Sequence, residues 1–205
     1  MHTDSTNVKP GSKAAQSAAT RAKLLKVARK LFAKHGYAGV GTEEVVKRAG
    51  LTRGALYHHF EDKKDLFRAV FEQMEEELMQ KVLAHASQQA DPVEEFKRAC
   101  RYWLELCLEP EVQRIVLLDA PAVLGWDVWR EVSGRWGLGA TEGGLAAAME
   151  AGAIERQPVS ALAHVLMGSL DEAALYVAEA KDPDTALAEM SQVLERMVET
   201  LRPRA

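Results

Sequence analysis

The sequence predicts an all-α protein with a small N-terminal domain and a larger helical C-terminal domain. Apolar residues recur at the spacing of a helix face through most of the 205 residues, as Leu24, Ala28, Leu31 and Phe32 do near the start. Alternation with a period of two residues is nearly absent, so we expect no strands. Positive charge is concentrated at the N-terminal end, which sets that end apart from the rest of the chain.

The chain is expected to divide into an arm, residues 1–17, a three-helix domain, 18–64, and a helical domain, 65–205. The arm is polar and contains Pro10 and Gly11, so we expect it to be disordered. It has no hydrophobic stretch of the kind found in a secretory signal. Because no apolar run approaches the roughly 18 residues that a membrane span needs, we expect a cytoplasmic protein with no membrane partner.

Local signals mark three helices in the first domain. Gly36 is suited to end the first helix, because glycine tolerates the left-handed conformation of a C-terminal cap. Thr42 precedes two acidic residues and is the expected N-cap of a short second helix. Gly50 stops that helix, and Thr52 is the expected cap of a third. The two short helices are expected over about residues 43–49 and 53–59.

Similar signals organise the second domain. Lys63 begins a long fourth helix with one apolar stripe. Asp91 and Pro92 suit the N-cap and first position of another helix, and Asp182 and Pro183 repeat that arrangement near the end of the chain. The expected segments are the fourth helix from 63, a helix over 91–108, two or three shorter helices within the glycine-rich stretch 110–152, and helices over 158–181 and 183–202.

The second and third helices are predicted to form a helix-turn-helix. This motif joins two short helices through a tight turn that often contains glycine, here Gly50-Leu51-Thr52. Leu51 and Leu56 are spaced to pack against the first two helices, which leaves the polar and aromatic side chains of the third helix outside. A short helix exposed in this way fits the major groove of DNA.

The charge distribution also favours a nucleic-acid partner for the N-terminal end. Residues 1–64 carry 13 Lys and Arg against 5 Asp and Glu, a net of +8. Residues 65–205 carry 13 against 25, a net of −12, which gives the overall −4. A basic head on an acidic body indicates a polyanion partner for the head only.

Individual residues suit different parts of a DNA contact. Arg53 can reach a guanine edge, and Gly54 has no side chain to keep the backbone away from DNA. Tyr57 can donate to a phosphate, and Lys63 lies at a helix N-terminus that favours anions. The residues expected to contact double-stranded DNA are Thr42, Thr52, Arg53, Gly54, Tyr57, His58, His59, Lys63 and Lys64.

The stretch TRGALYHHFEDKKDLF resembles the recognition-helix signature of TetR-type transcriptional regulators. LFAKHGYAGVGTEEVVKRAGLTRGALYHHF resembles the rest of their DNA-binding domain, so that the resemblance covers about residues 18–70. It implies a helical regulatory body, a homodimer on a palindromic operator and often a small-molecule inducer. The positions that match common DNA contacts in the family are Thr42, Thr52, Arg53, Tyr57, His59 and Lys63.

Other chemistries are not indicated. His58 and His59 are adjacent, so they point about 100° apart on a helix and cannot hold one metal together. No zinc motif, di-iron motif or phosphate-binding lysine loop is present, so we expect no enzyme, cofactor or metal. The run 137–144, GLGATEGG, is interpreted as a flexible connection. Cys100 and Cys107 are expected to be reduced core thiols.

The last two helices are expected to form a dimer interface. Their apolar residues are spaced three and four apart, and small residues allow close approach, which suits a four-helix bundle between two subunits. The alternative is an internal core with no partner. The interface candidates are Leu162, Val165, Leu166, Ser169, Ala173, Leu187, Met190, Leu194, Met197 and Leu201.

Aromatic residues in the middle of the chain suggest a ligand cavity, with an ordinary aromatic core as the alternative. Asp119 interrupts an apolar run, and it is expected either to pair with Arg114 or to lie at the mouth of a pocket. The candidate lining residues are Tyr102, Trp103, Asp119, Trp126, Met149, His164, Met167 and Tyr176.

These features together predict a homodimeric repressor that is released from its operator by a small-molecule effector. The alternative is an activator or architectural DNA-binding protein without an inducer. A helical-bundle enzyme is a third hypothesis, and it would require turnover or a bound metal.

Overall fold

The computed structural model describes residues 10–86 and 91–203, and within these ranges the chain forms helices and turns with no strands, as predicted. The helices are α1 Pro10–His35, α2 Thr42–Ala49, α3 Arg53–His59, α4 Lys63–Ala86, α5 Pro92–Leu106, α6 Pro110–Val112, a π-helix Gln113–Asp119, α7 Ala120–Leu124, α8 Trp126–Glu150, α9 Val159–Glu179 and α10 Pro183–Glu199. The chain divides into two compact units, Met1–Val70 and Phe71–Ala205.

The first unit is a three-helix head closed by the start of α4. Leu24, Phe32 and Leu56 are fully buried where α1, α2 and α3 pack together. Phe67 of α4 is equally buried, and its ring meets that of Phe32 edge to face at 5.1 Å. Because this part of α4 belongs to the head core, the unit ends six residues beyond the expected boundary at 64.

Two expectations about the head are corrected. Helix α1 begins at Pro10, so residues 10–17 are helical rather than a disordered arm. Alanines are frequent from position 14 onward, and alanine has the highest helix propensity. Residues 1–9 of the expected arm lie outside the described residues. Gly41, whose backbone is extended, is the N-cap of α2, and Thr42 is its first helical residue.

The remaining cap expectations in the head are confirmed. Gly36 has a φ of 69° and donates its N–H to the Phe32 carbonyl at 2.8 Å, which ends α1. The Thr52 side chain accepts the Ala55 N–H at 3.2 Å and starts α3. These bonds occupy backbone groups that helix ends otherwise leave unpaired.

The second unit is a bundle in which α5 packs on α10, α8 packs on α9, and α9 packs on α10. Asp91 caps α5 by accepting the Val93 N–H, and Asp182 caps α10 by accepting the Thr185 N–H, both as predicted. Cys100 and Cys107 are buried free thiols, and burial raises the pKa of Cys100 to about 12. The thiols therefore stay protonated at neutral pH.

Helix α8 is longer than the sequence suggested. It runs without a break through the glycine-rich stretch 137–144, which is therefore not a flexible connection. A Cβ built on Gly137 would lie 2.9 Å from the Met167 Cε, so this glycine allows α8 to approach α9 closely. Tertiary packing here outweighs the low helix propensity of glycine.

Helix α9 is long and apolar enough to cross a membrane by length and composition alone. The core helix of a globular bundle passes the same test. Ala163, Leu166 and Val177 of α9 are buried in the second unit, which fits the core-helix interpretation.

Candidate nucleic-acid interface and cavity

The turn between α2 and α3 fixes the orientation of α3. Gly50 adopts the left-handed conformation, with φ 60° and ψ 40°, and donates its N–H to the Lys47 carbonyl at 3.2 Å. The next amide, that of Leu51, donates to the Val46 carbonyl at 2.9 Å. Leu56 is fully buried, so one side of α3 is fixed against the head and the opposite side faces outward.

The outward side of α3 is formed mainly by Arg53 and Tyr57, one helical turn apart. The Arg53 side chain is 70% exposed and lies 3.9 Å from Glu43, a surface ion pair of little strength. Its guanidinium carbon is 5.4 Å from the centre of the Tyr57 ring, and Tyr57 is 42% exposed. Arginine and phenol are therefore presented side by side on an accessible helix.

Gly54 lies between these two residues and is not required by the fold. A Cβ at this position would meet nothing nearer than the Thr52 hydroxyl at 3.9 Å. Gly54 is exposed, and it leaves a bare patch of backbone on the outward side of α3. Such a patch suits close approach by another molecule.

The other predicted DNA-contact residues differ in exposure. Thr52, His58 and Lys64 are exposed, whereas Thr42, His59 and Lys63 are half-buried. All nine predicted residues belong to the first unit and to the short segment from α2 to the start of α4.

Lys63 has a structural function that the sequence did not reveal. Its ammonium donates to the carbonyls of Tyr37 and Val40, each at 3.0 Å, and lies 4.0 Å from the centre of the Tyr37 ring. Two of its three N–H donors are therefore used to hold the turn between α1 and α2. The third N–H donor takes no part in these two bonds.

The second unit contains a cavity of about 280 Å³ that is lined by residues of α4, α5, the π-helix, α8, α9 and α10. This volume is near the lower end of the roughly 300–1,000 Å³ typical of ligand sites. Phe96, Trp103 and Trp129 supply aromatic wall, and the Trp129 indole N–H donates to the Val116 carbonyl at 3.1 Å. The cavity is therefore apolar and aromatic, with its shape fixed by helix packing.

Two of the eight predicted lining residues, Trp103 and Met167, line this cavity. Tyr102, the neighbour of Trp103, points to another side of α5 and stacks on His85 at 4.0 Å. Trp126 is 55% exposed and stacks on Trp129 from outside at 4.8 Å.

The other four predicted lining residues are also corrected. Met149 is buried in a neighbouring apolar cluster, and Asp119 is half-buried in the π-helix. His164 is exposed and contacts the Ser160 carbonyl at 2.8 Å, while Tyr176 is 50% exposed. These residues are close in sequence to residues that line the cavity, but they lie on other faces of their helices.

Polar residues of the cavity were missed by the sequence interpretation. Glu75 is only 4% exposed, and it accepts a hydrogen bond from the Ser133 hydroxyl at 3.2 Å. Burial raises its pKa from 4.5 to about 7, an effect that the nearby Asp171 charge increases and the Ser133 bond opposes. Burial also raises the pKa of Asp171 to about 6, although Arg130 lowers it.

Different sequence features concealed these two acids. Glu75 begins the acidic run Glu75-Glu76-Glu77 and looks like part of a solvated helix face. Asp171 interrupts the apolar sequence of α9, and that interruption was the available signal. Only the packing of the second unit brings Glu75 of α4 and Asp171 of α9 to one cavity.

The predicted dimer residues separate into two groups. Leu166, Ala173 and Leu194 are buried within the subunit. Leu162 and Leu201 are partly buried against the internal apolar cluster. Val165 and Met197 are exposed, and Ser169, Leu187 and Met190 are half-buried.

An outward apolar face of α9 and α10 remains, and the sequence interpretation had not assigned all of it. Val165 and Tyr176 are 62% and 50% exposed, and their separation of 11 residues places them on the same side of α9. Val193 and Met197 are 53% and 38% exposed on α10, which packs beside α9. We define these four residues as the outer α9–α10 face.

A basic helix-turn-helix unit followed by a helical unit with a cavity defines the class of helix-turn-helix regulators. Residues 24–70 match the family described as bacterial regulatory proteins, tetR family, and residues 93–201 match the tetracyclin repressor-like C-terminal domain. The chain belongs to the TetR family of regulatory proteins.

Curated relatives agree with this assignment. The chain is 33% identical over 99 residues to the HTH-type transcriptional regulator AcrR of Shigella flexneri, over 48% of this chain and 46% of AcrR. It is 44% identical over 50 residues to the HTH-type transcriptional repressor AcnR of Corynebacterium diphtheriae, over 24% of this chain and 26% of AcnR. The matched regions thus span about half or less of these relatives.

Solved structures extend the similarity to nearly the whole chain. A TetR-family transcriptional regulator from Pectobacterium atrosepticum is 40% identical, with a TM-score of 0.82 over 93% of this chain and 97% of its own. RolR, solved in complex with resorcinol, shares the fold at 23% identity and a TM-score of 0.70 over 93% of this chain and 98% of its own.

Replacing Lys63 by methionine should destabilise the protein by about 2 kcal/mol, because two hydrogen bonds from a charged group to the Tyr37 and Val40 carbonyls are lost. Lys64→Met is the matched control, and its exposed side chain should change stability by less than about 0.5 kcal/mol. Urea unfolding monitored by circular dichroism measures both. Equal losses in the two variants would contradict the structural function of Lys63.

Glu75→Gln should remove a pH-dependent loss of stability. The folded protein holds the pKa of Glu75 at about 7, above its ordinary 4.5, so the contribution of this group is complete below pH 4.5 and is lost as pH rises through 7. As pH rises from 4.5 to about 7, the free energy of unfolding of the variant should therefore gain on the order of 3 kcal/mol relative to that of the wild type.

Urea unfolding from pH 4.5 to 8 measures this difference, and Glu76→Gln, which alters the exposed neighbour, is the control. Asp171, which also has a raised pKa, is present in every variant, so its contribution largely cancels. Parallel pH profiles for wild type and Glu75→Gln would contradict the assignment.

Proposed function

We propose that this protein is a transcriptional repressor that binds a palindromic operator as a homodimer in the cytoplasm and is released by a small molecule. The observation that carries the proposal is the outward side of α3. It offers Arg53, Tyr57 and a bare glycine on a helix whose opposite side is fixed in a basic head. Family membership supports the same function.

The DNA contact divides into base reading and phosphate binding. Arg53 is the exposed long cation of α3, and its weak pairing with Glu43 can be exchanged for a guanine edge. Tyr57, His59 and Thr52 flank it and suit phosphate oxygens. Lys64 and the remaining donor of Lys63 lie at the N-terminus of α4, where backbone amides also attract an anion.

The outer α9–α10 face is the proposed dimer contact. Its four large apolar side chains are 38% to 62% exposed, and such side chains are costly in water when they cluster on one side of a bundle. A second copy presenting the same two helices would cover them in a four-helix arrangement. Two heads joined in this way can read major grooves about 34 Å apart.

The cavity is the proposed effector site. Its wall is mainly apolar and aromatic, with a few polar groups, and it is formed by several helices, which are the features of small-molecule pockets. RolR, which has the same fold, was solved with resorcinol bound, so the fold accommodates a small ligand. Helix α4 supplies Lys63 to the head and Glu75 to the cavity, so a ligand that shifts α4 would change the preferred state of the DNA-binding helices.

The decisive experiment selects bound fragments from random duplex DNA and then measures the affinity of the purified protein for the selected operator, with and without candidate ligands. Specific binding that a cavity ligand weakens supports the proposal. Specific binding that no cavity ligand alters would indicate the activator or architectural alternative. Failure to bind duplex DNA at low salt would refute the proposal.

Arg53→Ala should weaken binding to the selected operator by about 1–3 kcal/mol while leaving binding to unrelated DNA nearly unchanged. Lys64→Ala should instead weaken binding to every sequence and lower the salt slope by about one. Fluorescence anisotropy titrations over a range of salt concentrations measure both effects. Arg135→Ala, an exposed arginine of α8, is the control, and identical profiles for Arg53→Ala and Lys64→Ala would exclude this division of function.

The double variant Val165→Glu/Val193→Glu should be monomeric at micromolar concentration, because it places charge on both helices of the outer face. Sedimentation equilibrium measures the mass, and operator affinity should fall with the loss of the second head. Leu118→Glu adds a charge at another exposed apolar residue and should leave the dimer intact. A double variant that sediments as a dimer would remove this face as the interface.

A further inference from the structure

The charges around the cavity are all of one sign. Three acidic residues line it, Glu75, Glu95 and Asp171. The lining residues that the structure describes include no lysine, arginine or histidine. Any ligand that enters therefore meets negative or neutral polar groups on an otherwise apolar wall.

Glu75 and Asp171, the two deeper acids, differ in the groups that offset their negative charge. Asp171 is offset by Arg130, which is itself exposed and extends over the Trp126 ring at 5.8 Å, outside the cavity. Glu75 has the Ser133 hydroxyl as a hydrogen-bond donor, and the charge that acts on it is the like charge of Asp171. A hydroxyl is a weak substitute for the hydration that an ionised carboxylate loses on burial.

The aromatic rings of the cavity wall complement its acidic groups. The Trp129 indole N–H is occupied by the Val116 carbonyl, so this residue offers the cavity its apolar ring rather than a donor. Trp103 and Phe96 add further rings on the α5 side. Aromatic rings attract cations through their faces and also pack against apolar groups.

We propose that the cavity binds a lipophilic ammonium, a compact organic cation with an apolar body, whose charged nitrogen pairs with Glu75 and Asp171. This inference rests on the proposed effector function, because it names the chemical class of that effector. An anion would be repelled by three carboxyl groups. A neutral molecule could fill the aromatic part but would leave Glu75 without a countercharge.

Isothermal titration of the full-length protein at neutral pH with three probes of matched shape tests the proposal. The probes are 4-phenylbutylamine, which is protonated, 4-phenylbutan-1-ol, which is neutral, and 4-phenylbutyrate, which is an anion. The amine should bind about ten- to a hundredfold more tightly than the alcohol, the gain expected for charge-assisted hydrogen bonds. The carboxylate should bind most weakly.

Glu75→Gln should lower the affinity for the amine by about tenfold or more and leave the affinity for the alcohol unchanged, which would show that the cavity is intact. Glu76→Gln makes the same change in net charge on the exposed side of α4 and should keep the preference for the amine. Equal affinities for amine and alcohol, a preference that survives Glu75→Gln, or no binding of any probe would each overturn the proposal.

Operator binding by the same preparations separates this inference from the function on which it rests. If the alcohol binds and releases operator DNA as well as the amine does, the effector function stands and the cation preference is wrong. If the protein does not bind specific DNA, the proposed function fails, whatever the titrations show.

Discussion

The second unit depends on the small side chains that α8 presents to its neighbours. Gly137, Ala140, Gly144 and Ala148 recur every three or four residues along the cavity side of that helix. At Gly137 the helix meets Met167 too closely for a side chain, whereas a Cβ at Gly144 would meet nothing within 4 Å. A chamber of about 280 Å³ forgoes packing worth several kcal/mol. Under the proposed effector function, a ligand of matching shape would restore those contacts.

The fold was predictable where a short-range signal determines it. Asp91, Asp182 and Thr52 cap helices as their local sequence indicates, and Gly36 and Gly50 end helices in the left-handed conformation that favours glycine. Prediction failed where packing between distant parts of the chain determines the local structure. The glycines of α8 suggested breaks, but the helix runs through all of them, and at Gly137 it packs closely on Met167, a contact that no local pattern shows. The extent of α1 toward the N-terminus was missed because a polar composition suggested disorder.

The same distinction between short-range signals and long-range packing explains which site residues could be predicted. The exposed side of α3 follows from seven consecutive residues and one buried leucine, so its candidate residues could be named from sequence. The cavity is assembled from several helices between α4 and α10, and a rotation of half a turn in any of them exchanges the residues that line the cavity for residues on its outer side. Trp103 was predicted to line the cavity while its neighbour Tyr102 was wrongly included, and Glu75 was hidden among acids that face solvent. The outer α9–α10 face was predicted only in part, because helical spacing identifies an apolar stripe but does not show whether that stripe faces the core or the solvent.

The position of Glu75 suggests how the free energy of ligand binding could favour one conformation of the protein. An acid buried beside a single hydroxyl and a like charge destabilises the folded unit once it ionises, and its raised pKa of about 7 expresses that cost. A cation that enters the chamber offsets the cost and stabilises the conformation in which the chamber is formed. Glu75 lies on α4, twelve residues beyond Lys63, whose ammonium holds the turn between α1 and α2. Helix α4 thus connects Glu75 covalently to the residues that support α3, and under the proposed function ligand and DNA would oppose each other if they preferred different states of this helix.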